Sequence, residues 1–204
     1  MFITFEGIDY SGKSTQAKLL VERLQKQGDD VVFLREPGGT AVSEKIRTIL
    51  LDKAHLDMTQ MAELLLFSAA RSQVVHEIIR PALKVKKTVV CDRFYDSTTA
   101  YQGYGRGLNL EHVRLINKLA TGGLVPDVTF IVEIPVEEIA LRRSLAGVPP
   151  DRMESSGDAF YHKAVQGYRE IAEMEPQRCT VLDGTQPVYQ LHEKIWTIIQ
   201  QRRD

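Results

Sequence analysis

Residues 7–14 read Gly-Ile-Asp-Tyr-Ser-Gly-Lys-Ser, and this G-x-x-x-x-G-K-S spacing constrains the fold more than any other feature of the chain. Gly7 and Gly12 allow backbone turns that a Cβ atom would block. The N–H groups of such a turn surround phosphate oxygens, Lys13 adds a positive charge, and the Ser14 hydroxyl can bind Mg²⁺. The motif therefore predicts a strand, a phosphate-binding loop and a helix, with a nucleoside triphosphate and Mg²⁺ as ligands.

The residues on either side of this loop fit a strand before it and a helix after it. Residues 2–5 are apolar and β-prone, as in a buried strand. Ala17, Leu20 and Leu24 recur at helical spacing after the motif. An ordinary glycine-rich turn is the alternative interpretation, and these flanks make it the weaker one.

Composition places the chain among globular proteins. Its 204 residues are 43% hydrophobic and 26% charged, and the net charge is −1. This size predicts a single domain over residues 1–204. The charge balance argues against a protein whose main function is to bind a nucleic-acid backbone.

No stretch approaches the ~18 apolar residues of a membrane span, and Met1 leads directly into the first strand, so we expect a cytoplasmic protein. Cys91 and Cys179 lie in apolar runs and are expected in the core, not in a disulfide or a zinc site.

Strand-like and helix-like patterns alternate along the chain. Strands are predicted at residues 2–5, 30–34, 88–91, 128–134 and 180–182. Helices are predicted at residues 14–27, 42–51, 60–83, 110–121, 136–146, 158–174 and 188–202. This alternation predicts an α/β domain with a five-stranded parallel sheet flanked by helices, and it places ligands beyond the carboxyl ends of the strands.

Polar residues follow the predicted strands. Asp92 ends the third strand, where P-loop proteins hold Mg²⁺ through a carboxylate, and Arg93 beside it suits a phosphate group. A helix cap and a surface ion pair are the alternative roles for these two residues. Glu36 lies in segment 35–40 after the second strand, which a tight turn with a threonine N-cap would also explain. Residues 183–187 follow the fifth strand.

Two further segments carry polar groups suited to a nucleoside. Phe67 and Arg71 lie four residues apart and share one helix face, so they could stack on a base and bond its edge. The helix alone favours a core phenylalanine and a solvated arginine. Residues 96–107 are rich in hydroxyl groups and glycine, which suits either recognition of a sugar or base or a plain surface loop.

A Gly- and Pro-rich stretch, residues 146–151, has the composition of a mobile lid over phosphates. Arg142, Arg143 and Arg152 flank it, and any of them could reach the charge that develops on a transferred phosphoryl group. Solvated helix charges are the alternative for Arg142 and Arg143.

The order and spacing of several segments resemble those of bacterial thymidylate kinases, a family of P-loop nucleoside monophosphate kinases. The likeness runs from residue 2 to about residue 186. It rests on residues 5–7, 35–40, 67–71, 92–97, 100–103 and 126–129, which read FEG, REPGGT, FSAAR, DRFYDS, AYQG and PDVT. The resemblance implies a three-layer P-loop kinase fold with a short lid at about residues 143–157, and transfer of the γ-phosphoryl group of ATP to dTMP with Mg²⁺ as cofactor.

The resemblance also implies roles for individual residues. Those expected at ATP are Gly7, Ile8, Asp9, Tyr10, Ser11, Gly12, Lys13, Ser14, Thr15 and Gln186. Those expected at dTMP are Glu36, Arg47, Phe67, Arg71, Arg93, Thr98, Tyr101 and Gln102. Catalysis is expected from Lys13, Asp9, Arg93 and a lid arginine, Arg143 or Arg152, and metal binding from Ser14 and Asp92. The likeness further implies a homodimer.

The chain departs from the family pattern in its arginines. Some members carry an arginine inside the P-loop, where this chain has Tyr10 and Ser11. Ala146 stands where lids of this type often hold another. The charge that stabilises the transferred phosphoryl group is therefore expected from Arg143 or Arg152.

Two alternative functions follow from the same motif. A GTPase-like switch needs an N-K-x-D segment that binds guanine, and the nearest match, residues 117–120, lacks the aspartate. A kinase for another nucleoside monophosphate stays open, because dUMP differs from dTMP by one methyl group, worth only about 1–3 kcal/mol in a pocket.

Overall fold

Within residues 1–147 and 149–203, which the computed structural model describes, five strands form one parallel sheet. They are β1 (Phe2–Glu6), β2 (Val31–Arg35), β3 (Thr88–Asp92), β4 (Val128–Glu133) and β5 (Cys179–Asp183). Their order across the sheet is β2-β3-β1-β4-β5, with parallel pairing throughout. The predicted five-stranded parallel sheet is confirmed.

Helices connect these strands. They are α1 (Lys13–Lys26), α2 (Ala41–Leu51), α3 (Gln60–Val74), α4 (Arg80–Lys84), α5 (Tyr95–Thr98), α6 (Leu110–Thr121), α7 (Glu138–Ala146), α8 (Asp158–Met174) and α9 (Val188–Arg203). Two π-helical segments, Val75–Ile79 and Thr99–Gly105, continue α3 and α5. Short 3₁₀ turns lie at Lys53–His55 and Glu154–Ser156.

Apolar side chains cover both faces of the sheet and produce three layers. On one face Phe5 and Trp196 belong to the cluster that joins the sheet to α1 and α9. On the other face Val74 belongs to a cluster under α3, and Ile131 and Tyr168 to a cluster under α8. Strands buried on both faces are continuous apolar runs, which is why they can be recognised in the sequence. The three-layer α/β prediction is confirmed.

One predicted element and one alternative interpretation differ from the structure. The helix predicted at residues 60–83 is interrupted by the π-helical turn, because Pro81 has no N–H to donate to the carbonyl group four residues earlier. The surface-loop alternative for residues 96–107 is wrong, since Thr98, Thr99 and Gln102 are buried in a helical segment. Their polar groups have hydrogen-bond partners inside the protein, which makes that burial possible.

The remaining expectations concern the lid, the cysteines and membranes. The predicted lid comprises the last turn of α7, the 3₁₀ turn after it and their connection, of which Val148 lies outside the described residues. Cys91 and Cys179 are buried free thiols, as predicted. Among the helices that the structure describes, none is both long and apolar enough to cross a bilayer.

Candidate active site

The carboxyl ends of β1, β2 and β3 meet at one edge of the sheet. Phe5 of β1 and Arg35 of β2 both pair with Asp92 of β3, so the residues that follow each strand lie side by side. The N–H of Arg93 donates to the Phe5 carbonyl at 2.9 Å, and that of Glu36 donates to the Asp92 carbonyl at 3.0 Å. The segments after these strands therefore share one site, as is typical of parallel sheets.

The loop between β1 and α1 has a backbone that favours glycine. Gly7 has φ +133°, and a Cβ atom there would lie 2.3 Å from the Val132 carbonyl oxygen, so larger residues do not fit. Gly12 has φ +93° directly before α1. Lys13 is buried and donates from Nζ to the Ile8 carbonyl at 3.2 Å, and burial lowers the pKa of Lys13. The loop thus combines N–H groups and a cation, as phosphate binding requires.

Asp9 and Arg93 connect this loop to the rest of the site. Arg93 Nη2 donates to Asp9 Oδ1 at 2.6 Å, and the hydroxyls of Tyr101 and Tyr161 donate to Asp9 Oδ2 at 3.2 and 2.9 Å. Burial raises the pKa of Asp9, but the Arg93 guanidinium and the Lys13 ammonium outweigh burial and hold that pKa below its ordinary value. Asp9 is therefore a carboxylate at neutral pH.

Glu6, the last residue of β1, lies in the FEG segment but is not among the residues expected at either nucleotide. Its carboxylate accepts hydrogen bonds from the Phe94 N–H at 2.7 Å, the Ser97 hydroxyl at 2.5 Å and the Tyr168 hydroxyl at 3.1 Å. Arg93 has φ +72°, which is unfavourable for a residue with a Cβ atom, and Glu6 holds the residue that follows it. Burial, with a nearby aspartate, raises the pKa of Glu6 to about 7. A charged residue at the end of an apolar strand is the sequence signal for it.

A cavity opens beside Arg93, and we call it the strand-end cavity. The structure brings all eight residues expected at dTMP into its wall: Glu36, Arg47, Phe67, Arg71, Arg93, Thr98, Tyr101 and Gln102. Asp9 lines it on the P-loop side, and Met153 lines it from the segment after α7. Side chains from six separate parts of the chain therefore surround one space.

Arg71 is only 2% exposed, so its interpretation as a solvated arginine is wrong. Its Nε donates to Glu36 Oε2 at 2.7 Å, Nη1 to Thr98 Oγ1 at 2.8 Å and Nη2 to the Phe94 carbonyl at 3.0 Å. Burial raises the pKa of Glu36 although Arg71 opposes that effect. Phe67 is half-buried one turn earlier on α3. Because a guanidinium carries five N–H groups, Arg71 has donors left for a ligand.

The loop after β5 packs against the P-loop from the other side. Arg142 donates to the carbonyls of Tyr10 at 3.3 Å and Gly184 at 3.1 Å, so it is not a plain solvated charge. A Cβ atom on Gly184 would lie 2.9 Å from the Ser11 carbonyl oxygen, which shows how closely the two loops approach. Gln186 follows two residues later and does not line the strand-end cavity. The Gln186 side chain contacts Asp183 and Lys194.

The two candidate lid arginines lie in different surroundings. Arg152 is 5% exposed, and it donates from Nη1 to Glu63 Oε2 and from Nε to a backbone carbonyl of α2, both at 2.6 Å. Arg143 is half-buried in the last turn of α7, where its charge acts on Tyr10 of the P-loop. Burial and a nearby glutamate raise the pKa of Tyr10 to about 12 despite that charge. The Arg143 charge thus acts on Tyr10, whereas the Arg152 guanidinium is bound to Glu63 and to α2.

Asp92 and Ser14 supply oxygen atoms beside the P-loop. Asp92 is buried, and none of the described residues donates a hydrogen bond to its Oδ1. Ser14 is half-buried in the first turn of α1, next to the exposed Thr15. Oxygen donors of this kind suit Mg²⁺. Within the described part of the chain no group of three acidic, histidine or cysteine side chains could hold a metal, so nucleotide phosphates and water would complete its coordination.

Known proteins are similar to this chain over nearly its whole length. The family model described as thymidylate kinase matches residues 5–195. Thymidylate kinases from Chlorobium chlorochromatii and Pelodictyon phaeoclathratiforme are 50% and 49% identical to this chain, over 99% of its length and over 95% and 96% of theirs. A crystal structure of thymidylate kinase from Ehrlichia chaffeensis matches with a TM-score of 0.80 and 37% identity, over 98% of both chains.

Proposed function

The chain belongs to the thymidylate kinase family, and we propose that it transfers the γ-phosphoryl group of ATP to dTMP, giving dTDP and ADP. The observation that carries the proposal is the Asp9–Arg93 pair, which joins the P-loop to the strand-end cavity. Phosphoryl transfer needs a donor and an acceptor held on either side of one point. The P-loop is the donor side and the strand-end cavity is the acceptor side.

The strand-end cavity binds the nucleoside of dTMP. Phe67 stacks on thymine, and the remaining N–H groups of Arg71 donate to a carbonyl oxygen on the edge of the base. Thr98 and Gln102 complete recognition of the base, and Tyr101 lies near the sugar 2′ position. Glu36 adds an acceptor for the sugar 3′-hydroxyl, since its Oε1 is buried and receives no hydrogen bond from the described residues.

Arg93 lies where the acceptor phosphate and the transferred phosphoryl group come together. Arg93 and Arg47 hold the acceptor phosphate, and both line the strand-end cavity. The acceptor oxygen is already anionic, so no strong general base is required, and Asp9 serves to orient Arg93. Lys13 neutralises charge on the transferred group from the other side. Catalysis is therefore positioning and charge neutralisation.

The donor site uses the P-loop and its neighbours. The N–H groups of Gly7 to Thr15 surround the phosphates of ATP, and Gln186 borders the adenine. Ser14 and Asp92 would hold Mg²⁺, directly or through water, and the bound ion would supply charge neutralisation at the phosphates. Arg143 supplies the last positive charge, because its charge acts on Tyr10 of the P-loop. Arg152 is a positioning residue in this proposal, since its guanidinium is bound to Glu63.

We also propose a homodimer. Leu65 on α3 and Leu115 and Leu119 on α6 are exposed, and these two helices pack against each other. Exposed leucines on neighbouring helices suit contact between two identical surfaces.

We further propose that residues 1–204 form one domain, because one sheet and its core clusters span the described chain from Phe2 to Ile199.

A cytoplasmic location is part of the same proposal. Cys91 and Cys179 are buried free thiols. Free thiols persist in a reducing compartment, whereas oxidising compartments favour disulfides. Detection of the native chain in the soluble cell fraction with both thiols reduced is the expected result.

A coupled assay with a panel of acceptors tests the proposed function. ATP and Mg²⁺ are supplied with dTMP, dUMP, dCMP, dGMP or AMP, and formation of ADP and of the nucleoside diphosphate is measured. We expect dTDP and ADP in equal amounts with dTMP, and no activity for Lys13→Ala at an unchanged melting temperature. Preferred turnover of another monophosphate, or ADP without dTDP, would contradict the proposal.

A further inference from the structure

Glu63 is a buried carboxylate on α3 to which the proposed reaction assigns no role. It is 1% exposed and lies among three donors. Gln102 Nε2 donates to its Oε1 at 2.9 Å, Arg106 Nε to Oε1 at 3.0 Å and Arg152 Nη1 to Oε2 at 2.6 Å. Arg106 Nη2 also donates to Oε2 at 3.2 Å. All four hydrogen bonds to the Glu63 carboxylate thus come from N–H groups.

This arrangement keeps Glu63 ionised. Burial alone would raise the pKa of Glu63, but the bonds from Arg106, Gln102 and Arg152 outweigh it and hold that pKa below its ordinary value. An ionised carboxylate can only accept hydrogen bonds. The Gln102 side chain must therefore turn its NH₂ group, and not its carbonyl oxygen, towards Glu63.

The orientation of Gln102 has a consequence for the strand-end cavity. Gln102 is in the wall of that cavity together with Arg71. With the NH₂ group bound to Glu63, the side-chain oxygen Oε1 of Gln102 is the atom left for a ligand, and none of the described residues donates a hydrogen bond to that atom. The wall then offers one acceptor, from Gln102, and donors from Arg71.

Thymine and cytosine differ in the hydrogen-bonding groups that they present to this wall. The edge of thymine carries an N3–H donor next to the O4 acceptor, which matches an acceptor from Gln102 and a donor from Arg71. Cytosine has an N3 acceptor next to an N4 amino donor, which is the reverse pattern. Bound in the same place, cytosine would put two acceptors against each other and two donors against each other.

We propose that Glu63 is a specificity-determining residue that orients the Gln102 carboxamide and so selects a pyrimidine with an N3–H group over cytosine. The proposal rests on the proposed function, because it assumes that the strand-end cavity holds the base of the acceptor nucleotide. Glu63 acts through Gln102 and does not touch the nucleotide. A merely structural role for Glu63, as the partner of Arg152, would weaken both nucleotides equally.

The test compares the dissociation constants of dTMP and dCMP by calorimetry in the intact chain. The ratio of these two dissociation constants in the wild type measures how strongly the chain prefers dTMP over dCMP. In Glu63→Gln the side chain at position 63 can donate as well as accept, so Gln102 is free to turn round. We expect the dCMP/dTMP ratio of dissociation constants to fall about tenfold or more. Equal weakening of both nucleotides would overturn the proposal.

A matched control uses the same substitution elsewhere. Glu133 accepts two hydrogen bonds from Arg169, at 3.0 and 2.7 Å, outside the strand-end cavity. Glu133→Gln therefore removes a paired charge without touching Gln102, and the ratio is expected to stay unchanged. If Glu63→Gln does not fold, Glu63→Asp replaces it, because its carboxylate keeps the charge but lies one methylene further from Gln102. An unchanged ratio in that variant would equally overturn the proposal.

A double variant identifies Gln102 as the intermediary. Gln102→Leu removes the oriented carbonyl, so its ratio is also expected to fall, and adding Glu63→Gln is expected to change it no further. A preserved ratio in Gln102→Leu would contradict the proposal. Failure of the proposed function is distinguishable, because the wild type would then neither bind nor phosphorylate dTMP. Failure of the inference leaves the wild type active and only the variant ratios unchanged.

Discussion

At the scale of single residues, the wall of the strand-end cavity contains a buried ion pair. Arg71 and Glu36 form an ion pair in which each side chain is only 2% exposed. Removing one member of such a pair leaves an unpaired charge in the interior and is strongly destabilising, whereas replacing both costs much less. Stability and binding can therefore be separated at this pair by mutation.

Arg71→Met is expected to lower the free energy of unfolding by about 3–5 kcal/mol, because Glu36 stays buried without its partner. Arg71→Met/Glu36→Gln is expected to recover most of that loss, while kcat/KM for dTMP stays about 100-fold or more below wild type in both variants, since the base loses its donor. KM for ATP is expected to stay the same. Urea unfolding and steady-state kinetics measure these quantities.

The control for this pair is Arg169→Met, which breaks a more exposed ion pair with Glu133. It is expected to change the free energy of unfolding by at most about 1 kcal/mol and to leave dTMP kinetics unchanged. Full recovery of kcat/KM for dTMP in the double variant at Arg71 and Glu36 would show that the guanidinium does not bind the base.

Residue-level predictions from the sequence succeed where the cause is local. The glycine positions in the P-loop motif specify the backbone angles of the loop. The structure has Gly7 and Gly12 at the positive φ angles that the motif requires. The burial of Arg71 is different, because it depends on Glu36, 35 positions away in the chain. Helical spacing carries no information about such distant partners, and the contact between Glu63 and Gln102 could not be predicted for the same reason.

At the scale of elements, Glu6 ties the end of β1 to the segment after β3. Its pKa is raised from 4.5 to about 7, so between these pH values the folded chain binds a proton at Glu6 that the unfolded chain does not. That stabilising contribution is complete below pH 4.5 and is lost as the pH rises through about 7.

The wild type is therefore expected to lose about 3 kcal/mol of unfolding free energy relative to Glu6→Gln between pH about 4.5 and pH about 8. The variant has no proton to release at this position, so it supplies the reference at each pH. Urea unfolding of both proteins across this range measures the difference. A difference that does not change with pH would disprove the raised pKa of Glu6.

The lid gives a second prediction at this scale, because its two arginines are held by different elements. Arg143→Ala is expected to lower kcat about 1000-fold at a nearly unchanged melting temperature, as expected when a charge at the transferred group is lost. Arg152→Ala is expected to lower the melting temperature and raise KM for dTMP, since Glu63 loses one of its partners. The reverse pattern in the two variants would assign the catalytic role to Arg152.

At the scale of the whole molecule, the exposed face of α3 and α6 predicts association of two copies. Leu65 is 50% and Leu119 is 71% exposed. Leu65→Glu/Leu119→Glu would place charges in the proposed interface, so we expect a monomer by sedimentation equilibrium. Val85→Glu, at a 62% exposed position at the end of α4, is the control and is expected to stay dimeric. A monomeric wild type would refute the dimer.

The architecture as a whole was largely predictable from the sequence. Strands buried on both faces are short apolar runs, and β1, β3 and β4 of this sheet are of that kind. The segment Thr99–Gly105 was less predictable, because its polar residues are typical of loops. It is helical only because distant side chains, among them Glu63 and Asn117, satisfy its polar groups.

The central claim is that one site holds two nucleotides, with the donor on the P-loop and the acceptor in the strand-end cavity. A crystal structure with dTMP, Mg²⁺ and a non-hydrolysable ATP analogue tests it most directly. We predict thymine against Phe67 with its edge at Arg71, the acceptor phosphate at Arg93, and the γ-phosphate at Lys13. A thymine base bound outside the strand-end cavity, or an acceptor phosphate away from Arg93, would contradict the account.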